Sequence, residues 1–220
     1  SHTLRVPAAL CTGSREDVSY IVMEHLRLGH GTRLGWRMAG ERLAAMHRNS
    51  EHAFGWQRNN TIGATPQHND WQDDWIAFWR DQRLGFQLAE AARNGYRGRL
   101  QILGEQLRER FAVLIDHAPR PALLHGDLWG GNLSFTENGE PAIYDPATYF
   151  GDREAELAMT ELFGGFHADF YAAYRAAWPL DSGYRVRKTL YNLYHVLNHL
   201  NLFGGGYGAQ AEQMMQALLA

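Results

Sequence analysis

Helical periodicity fills most of this chain, and in mid-sequence, between Pro121 and Asp145, it gives way to three short strand-like pieces at residues 122–124, 132–135 and 142–144. Upstream, Trp36, Ala39, Leu43 and Met46 recur every three to four positions with Glu41, Arg42 and Arg48 filling the other face. That spacing predicts an amphipathic helix from Thr32 to about Asn49. Leu100, Leu103, Leu107, Phe111 and Leu114 repeat in the same way and stop before Pro119 and Pro121, which a helix cannot pass without losing a hydrogen bond. Beyond Gly151 four more helices are predicted, at 152–163, 167–178, 184–203 and 208–219, separated by glycine and proline. Such a pattern folds as an α+β domain, mainly α-helical, with a small strand insert in its middle.

The remaining segments are less regular. Residues 4–10 and 18–24 read as two adjacent strands around a turn at Thr12-Gly13-Ser14. Residues 50–70 are polar and broken by Gly55, Gly63 and Pro66, and read as a long surface loop. Trp71, Trp75, Phe78 and Trp79 open a second helix and read as packing residues. Asn138-Gly139 is a hairpin turn signal between the second and third strand pieces.

Composition removes several classes of function. With 220 residues, 45% hydrophobic and 20% charged, the chain can bury a core. A net charge of −3 without a basic cluster speaks against nucleic acid and against anionic membrane as partners. Cys11 is the one cysteine, so no intrachain disulfide forms, and no apolar run is long enough to span a bilayer. A cytoplasmic protein is expected. Ser1-His2 reads as the remnant of a cleaved tag.

The chemistry concentrates in the strand insert. Four residues separate Asp127 from Asn132, and Asp145 follows at the end of the next hairpin. Phosphoryl transfer needs a carboxylate to orient the attacking hydroxyl and accept its proton, and oxygen ligands for a magnesium ion on the nucleotide phosphates. The separation of Asp127 and Asn132, with a second aspartate downstream, matches the catalytic and metal loops of kinase-like enzymes. His-Gly-Asp and Asp-Pro-Ala replace the protein-kinase triplets, which points to the small-molecule branch that includes aminoglycoside phosphotransferases. His195 and His199 stand four apart on a predicted helix without the glutamate of a zinc-protease motif, and read as a packed face.

The stretches from His125 to Asn132 and from Tyr144 to Glu154 resemble those of the fructosamine kinases, or ketosamine-3-kinases. So do Asn60 to Gly63 with Gln67, Asn69 and Trp75, the Arg83-Leu84-Gly85 segment, the run Glu161 to Phe166, and Tyr194-His195 to Asn198 with Phe203-Gly204. The resemblance implies ATP and Mg2+ as cofactors and phosphorylation of the sugar 3-hydroxyl of fructosamines or ribulosamines, free or on glycated proteins. The unstable 3-phosphate then decomposes and releases the amine, a deglycation. It makes Asp127 the general base, Asn132 and Asp145 the metal ligands, and Trp129 either a sugar-stacking face or a core anchor. His125 would brace the loop. Residues 20–26 look like a kinase hinge, with the main chain at Met23, Glu24, His25 and Leu26 holding adenine.

A glycine-rich strand loop and a lysine that pairs with a glutamate are missing from this pattern. Lys188, the one lysine, lies downstream of both aspartates and cannot serve in a nucleotide lobe. The expectation is therefore the C-terminal lobe of a protein-kinase-like fold: residues 1–26 as a remnant of the N-terminal lobe and hinge, and 27–220 as the helical lobe. Such a chain by itself would be inactive. The alternatives are an isolated non-catalytic domain unable to clamp ATP, and an aminoglycoside- or choline-type kinase.

Overall fold

The computed structural model describes residues 3–220, so Ser1-His2 lies outside the described residues. A hairpin of β1 (Ala9–Arg15) and β2 (Val18–Met23) opens it. Its turn is at Glu16-Asp17, with Glu16 at φ 54°, and not at Thr12-Gly13-Ser14. The reason is a close approach: Gly13 pairs across the hairpin with Tyr20, whose ring occupies the space a Cβ would need. The expected strand at 4–10 is also shorter, because Leu4 to Pro7 contributes one parallel bridge, Arg5 to Ala142, and regular pairing starts only at Ala9.

The helices follow the apolar spacing closely. They comprise α1 (Arg33–His47), α2 (Trp75–Trp79), α3 (Phe86–Arg93), α4 (Arg99–Leu114), α5 (Arg153–Leu162), α6 (Ala168–Ala177), α7 (Tyr184–Phe203) and α8 (Tyr207–Leu219). Thr32 caps α1 by accepting from the Gly35 N–H at 3.1 Å, and Asp74 caps α2 through the N–H groups of Ile76 and Ala77. A π-helical turn at Arg80–Gly85 joins α2 to α3 and carries the Arg83 guanidinium inward, over the rings of Phe78 and Tyr149 at 4.6 and 4.4 Å.

The remaining strands are short. The expected loop at 50–70 contains a hairpin of β4 (Asn60–Ile62) and β5 (Thr65–Gln67). β3 (Leu28–Gly29), β7 (Leu133–Thr136) and β8 (Pro141–Ile143) form one antiparallel sheet, with Gly139 at φ 78° in the β7–β8 turn. β6 (Ala122–Leu124) pairs instead with β9 (Tyr149–Gly151), Ala122 opposite Gly151.

Two apolar clusters hold the body. One gathers Trp75, Phe78, Trp79, Leu107, Phe111, Tyr191 and Leu197; the other packs α1 on α6 through Leu43, Phe170 and Tyr174, with Phe135 of β7. Helix α5 lies between them, buried from Arg153 to Thr160, and gives Ala155 and Ala158 to one and Leu157 to the other. A helix buried all round must pair its charged residues. Arg187 of α7 donates to both carboxylate oxygens of Glu154, at 2.7 and 3.0 Å, and also pairs with Asp116. Tyr191 and His117 both reach Asp152, at 2.6 and 2.9 Å. Replacing Arg187 with Met leaves the Glu154 carboxylate inside without its partner, and urea denaturation at pH 7 is expected to show a loss of about 3–5 kcal/mol. A loss below 1 kcal/mol contradicts this account of α5.

Candidate active site

At the end of β6 the chain enters His125-Gly126-Asp127 under close restraint. Glu156 of α5 accepts the His125 N–H at 3.0 Å and the Gly126 N–H at 2.7 Å, and its third contact is His47 Nε2 at 3.0 Å. Burial raises the Glu156 pKa, but the hydrogen bonds and charges of His47 and His125 outweigh it and hold the carboxyl below its ordinary range. Gly126 sits at φ 87° against the Ala147 carbonyl, in space that admits no Cβ. His125 Nε2 donates to the Tyr144 carbonyl at 2.9 Å, and its Nδ1 accepts the Asp127 N–H at 3.3 Å. Burial keeps this imidazole neutral, so its two nitrogens brace the loop as donor and acceptor.

The spacing of Asp127 and Asn132 is closed by the asparagine itself. Its Nδ2 donates to the Asp127 carbonyl at 2.9 Å and to the Asp145 carbonyl at 3.4 Å, while its N–H reaches the Trp129 carbonyl at 2.9 Å. With the amide hydrogens spent on the main chain, Oδ1 is left as an oxygen ligand. Asp145 stands just after β8 at φ 58°, one of two non-glycine residues with positive φ among the described residues, a strained conformation of the kind found where a side chain must be aimed. Asn132 Oδ1 and the Asp145 carboxylate are hard oxygen donors of the type magnesium takes. Asp127 is brought close enough to feel both neighbouring acids: burial first, then the charges of Asp145 and Glu156, push its pKa up to about 6.

Asp127 opens onto a cavity of about 400 Å3. One part of its wall is polar, from Asp127, His195, Asn198 and His199, and the rest is apolar and aromatic, including Ile62, Trp129 and Phe163. Trp129 is 43% exposed, so the structure places it on the cavity wall and not in a core. His195 and His199, expected to form a packed face, line the same cavity, and His199 Nδ1 donates to the His195 carbonyl at 2.8 Å. The β4–β5 hairpin, whose Ile62 and Gly63 line the cavity, is braced to the segment after Asp145: Gln67 Nε2 donates to the Ala147 carbonyl at 3.0 Å and Asn60 Nδ2 to the Thr148 carbonyl at 2.8 Å.

Met23, Glu24, His25 and Leu26 are not among the residues lining this cavity; they run from the end of β2 toward β3. Glu24 pairs with Arg5, and its N–H donates to the Ala8 carbonyl at 2.8 Å. Lys188 donates to Glu161 at 2.7 Å on the helical side. His117, Asp152 and Glu154 cluster tightly enough for a metal, but Arg187 already occupies Glu154 and Tyr191 occupies Asp152, which makes the cluster a structural network. Sequence reasoning missed Glu156, Gly63 and the α7–α8 contribution to the cavity. For Glu156 the available signal was an acid inside the apolar stripe of a predicted helix.

The fructosamine kinase family profile matches residues 1–220. The chain belongs to the fructosamine kinase family. It is 51% identical over 220 residues to the "Probable ketoamine kinase" of Synechocystis sp., covering 100% of this chain and 74% of that one. It is 42% identical over 228 residues to the chloroplastic protein-ribulosamine 3-kinase of Arabidopsis thaliana, covering 100% and 68%. A crystal structure from Thermobifida fusca assigned to fructosamine-3-kinase superposes with a TM-score of 0.86 at 31% identity, over 97% of this chain and 73% of that one. The aminoglycoside phosphotransferase APH(4)-Ia, solved with ADP and hygromycin B, shares the fold at a TM-score of 0.63 and 17% identity, over 100% and 78%. The α+β kinase-like fold is thus shown. The family match runs from residue 1, hairpin included, so the chain carries more of the family's sequence than a bare C-terminal lobe, and the inactivity expected of it finds no support.

The raised pKa of Asp127 has a definite sign in stability. A carboxyl that binds its proton more tightly when folded makes the protein less stable as pH rises from about 4 to about 6. In metal-free buffer Asp127→Asn is therefore expected to be more stable than wild type at pH 7.5, by about 2 kcal/mol. The gain should vanish near pH 4. Urea denaturation at both pH values checks this, and a difference independent of pH contradicts it.

Proposed function

We propose that this chain carries the catalytic and substrate-binding machinery of a ketosamine-3-kinase, which transfers the γ-phosphoryl group of ATP to the sugar 3-hydroxyl of a fructosamine or ribulosamine. The observation that carries the reading is the Asp127 carboxyl on the wall of a sugar-sized cavity, with Asn132 tying its own loop to Asp145 through hydrogen bonds to the Asp127 and Asp145 carbonyls. In this scheme the sugar oxygen attacks the γ-phosphorus, the bond to the ADP oxygen breaks, and the hydroxyl proton passes to Asp127. Asn132 and Asp145 would hold magnesium, which supplies positive charge for the phosphate oxygens. The transition state is loose and the hydroxyl proton moves late, so the restraint on the loop matters more than basicity.

Trp129 offers an aromatic face to the sugar while Asp127, His195 and Asn198 offer polar groups, which suits a ring with one apolar and one hydroxylated side. The segment Met23-Glu24-His25-Leu26 is read as the adenine-holding hinge, with residues 1–26 as the end of the nucleotide lobe and 27–220 as the helical lobe. Its support is position: an extended run leaves a β-hairpin and enters the sheet that bears the catalytic loop. The names of the matched ketoamine and ribulosamine kinases agree with a ketosamine substrate, small or protein-bound.

The test is phosphate transfer from ATP and magnesium to a panel of a fructosamine, a ribulosamine, an aminoglycoside and choline. A ketosamine is expected to be phosphorylated, and the aminoglycoside and choline are not. Asp127→Asn should lower turnover by about 10²–10⁴-fold while the fold is kept. Transfer to the aminoglycoside or choline with ketosamines untouched would refute the proposal.

A further inference from the structure

The cavity beside Asp127 changes character along its length. His195, Asn198, His199, Leu202 and Phe203 of α7 all line it, and their spacing of three and four puts them on one face of the helix over about 12 Å. The His195 end lies against the catalytic loop, because Tyr194 donates to Gln67 at 2.9 Å, Gln67 donates to the Ala147 carbonyl at 3.0 Å, and Gly126 packs on that carbonyl. This end carries the polar groups. The Phe203 end is apolar: α7 stops at Gly204, φ 68°, and the chain turns back into α8, which brings Tyr207 against α7. The rings of Phe163, Phe203 and Tyr207 stand around the His199 imidazole at 5.0, 5.5 and 5.1 Å. Phe203 is 69% exposed and Phe163 43%, so both rings are open to solvent at the edge of the cavity they line. Among the described residues no lysine or arginine lines this cavity, and Asp127 is its one carboxylate.

We propose that this aromatic arm, formed by Phe163, Leu202, Phe203 and Tyr207, holds the substituent on the substrate's amine, so that the enzyme selects ketosamines of apolar amines. The proposal rests on the functional reading above and deepens it by naming the class of amine. A ketosamine carries its nitrogen on C1, two carbons from the 3-hydroxyl that Asp127 would receive. A hydroxylated sugar suits the polar end, and what hangs from its nitrogen then has the arm beside it. An apolar chain laid on these rings removes apolar surface from water on both sides, whereas a polar chain gives up hydrogen bonds to water that phenyl rings and a leucine side chain do not replace. The arm is also set before any ligand arrives. His199 Nδ1 is tied to the His195 carbonyl at 2.8 Å, and the three rings pack on that fixed imidazole, which spares the cost of ordering them on binding.

The experiment measures kcat and KM of the full chain, with ATP and magnesium, on the ketosamines of methylamine, hexylamine and 2-(2-aminoethoxy)ethanol, whose chain matches hexyl in length but is polar. Each is made with fructose and with ribulose, and whichever sugar is turned over is used. Phosphorylation of the methylamine adduct tests the functional reading alone, and the hexyl-to-methyl ratio tests the arm. The hexylamine adduct should have a kcat/KM at least tenfold above that of the methylamine adduct, carried by KM, since the arm touches the substituent and not the reacting atoms. The polar chain should gain less than threefold. Phe203→Ser, at an exposed helix end, should cut the hexyl-to-methyl ratio at least threefold, and Phe203→Leu, which stays apolar, should keep most of it. The proposal is overturned if the wild-type ratio is below threefold, if the polar chain gains as much as hexyl, or if Phe203→Ser leaves the ratio unchanged. If no ketosamine is turned over, the functional reading falls and this proposal falls with it.

Discussion

The Glu156 carboxylate is enclosed by protein on every side and still holds its charge, because two main-chain N–H groups of the catalytic loop and the ring of His47 surround it. The rest of the site depends on this contact. It fixes where the chain leaves β6, and so sets the positions of Gly126 and Asp127. Its negative charge is also one of the causes that raise the Asp127 pKa, so the group that positions Asp127 tunes it as well. In pH terms the two carboxyls act in opposite senses. Glu156, with its lowered pKa, adds stability above the usual carboxylate range that is lost on acidification, whereas Asp127 subtracts stability once it ionises.

Helix α5 can offer a buried acid to the loop because it lies between two cores, with Leu157 facing one and Ala155 and Ala158 the other. The acids that flank Glu156 are satisfied in the same way, Asp152 by His117 and Tyr191 and Glu154 by Arg187. From the far side, a chain of amides converges on the metal loop. Arg83 donates to Asn69 at 2.7 Å, Asn69 and Gln67 both donate to Asn60 at 2.9 Å, and Asn60 and Gln67 hold the Thr148 and Ala147 carbonyls. Asp145 is thereby held between Asn132 on one side and this hairpin network on the other.

Helix positions were legible wherever apolar residues keep a three-to-four spacing: 184–203 is reproduced residue for residue, and 167–178 differs by one at each end. Asp127 and Asn132, two of the candidate site positions, were legible because their relation is local; a single turn closed by the Asn132 side chain sets their spacing. Features made by side chains from distant segments were not. The β4–β5 hairpin looks like a polar loop because it is held by Asn60 and Gln67 and gives the core a single apolar side chain, Ile62, and β9 is too short to show alternation. The first turn was misplaced because Gly13 serves as a seat for Tyr20. Glu156 left one trace in the sequence, an acid inside the apolar stripe of a predicted helix, whereas the cavity and the unpaired Nδ1 of His195 are properties of packing that no spacing encodes.

A crystal structure of the chain with a non-hydrolysable ATP analogue, magnesium and a fructosamine tests the central claim most directly. The account predicts the sugar in the cavity between Trp129 and His195, one hydroxyl within about 2.6–3.2 Å of the Asp127 carboxylate, and magnesium on Asn132 and Asp145. A sugar bound elsewhere on the protein, or one seated in the cavity with Asp127 out of hydrogen-bond reach, would contradict it.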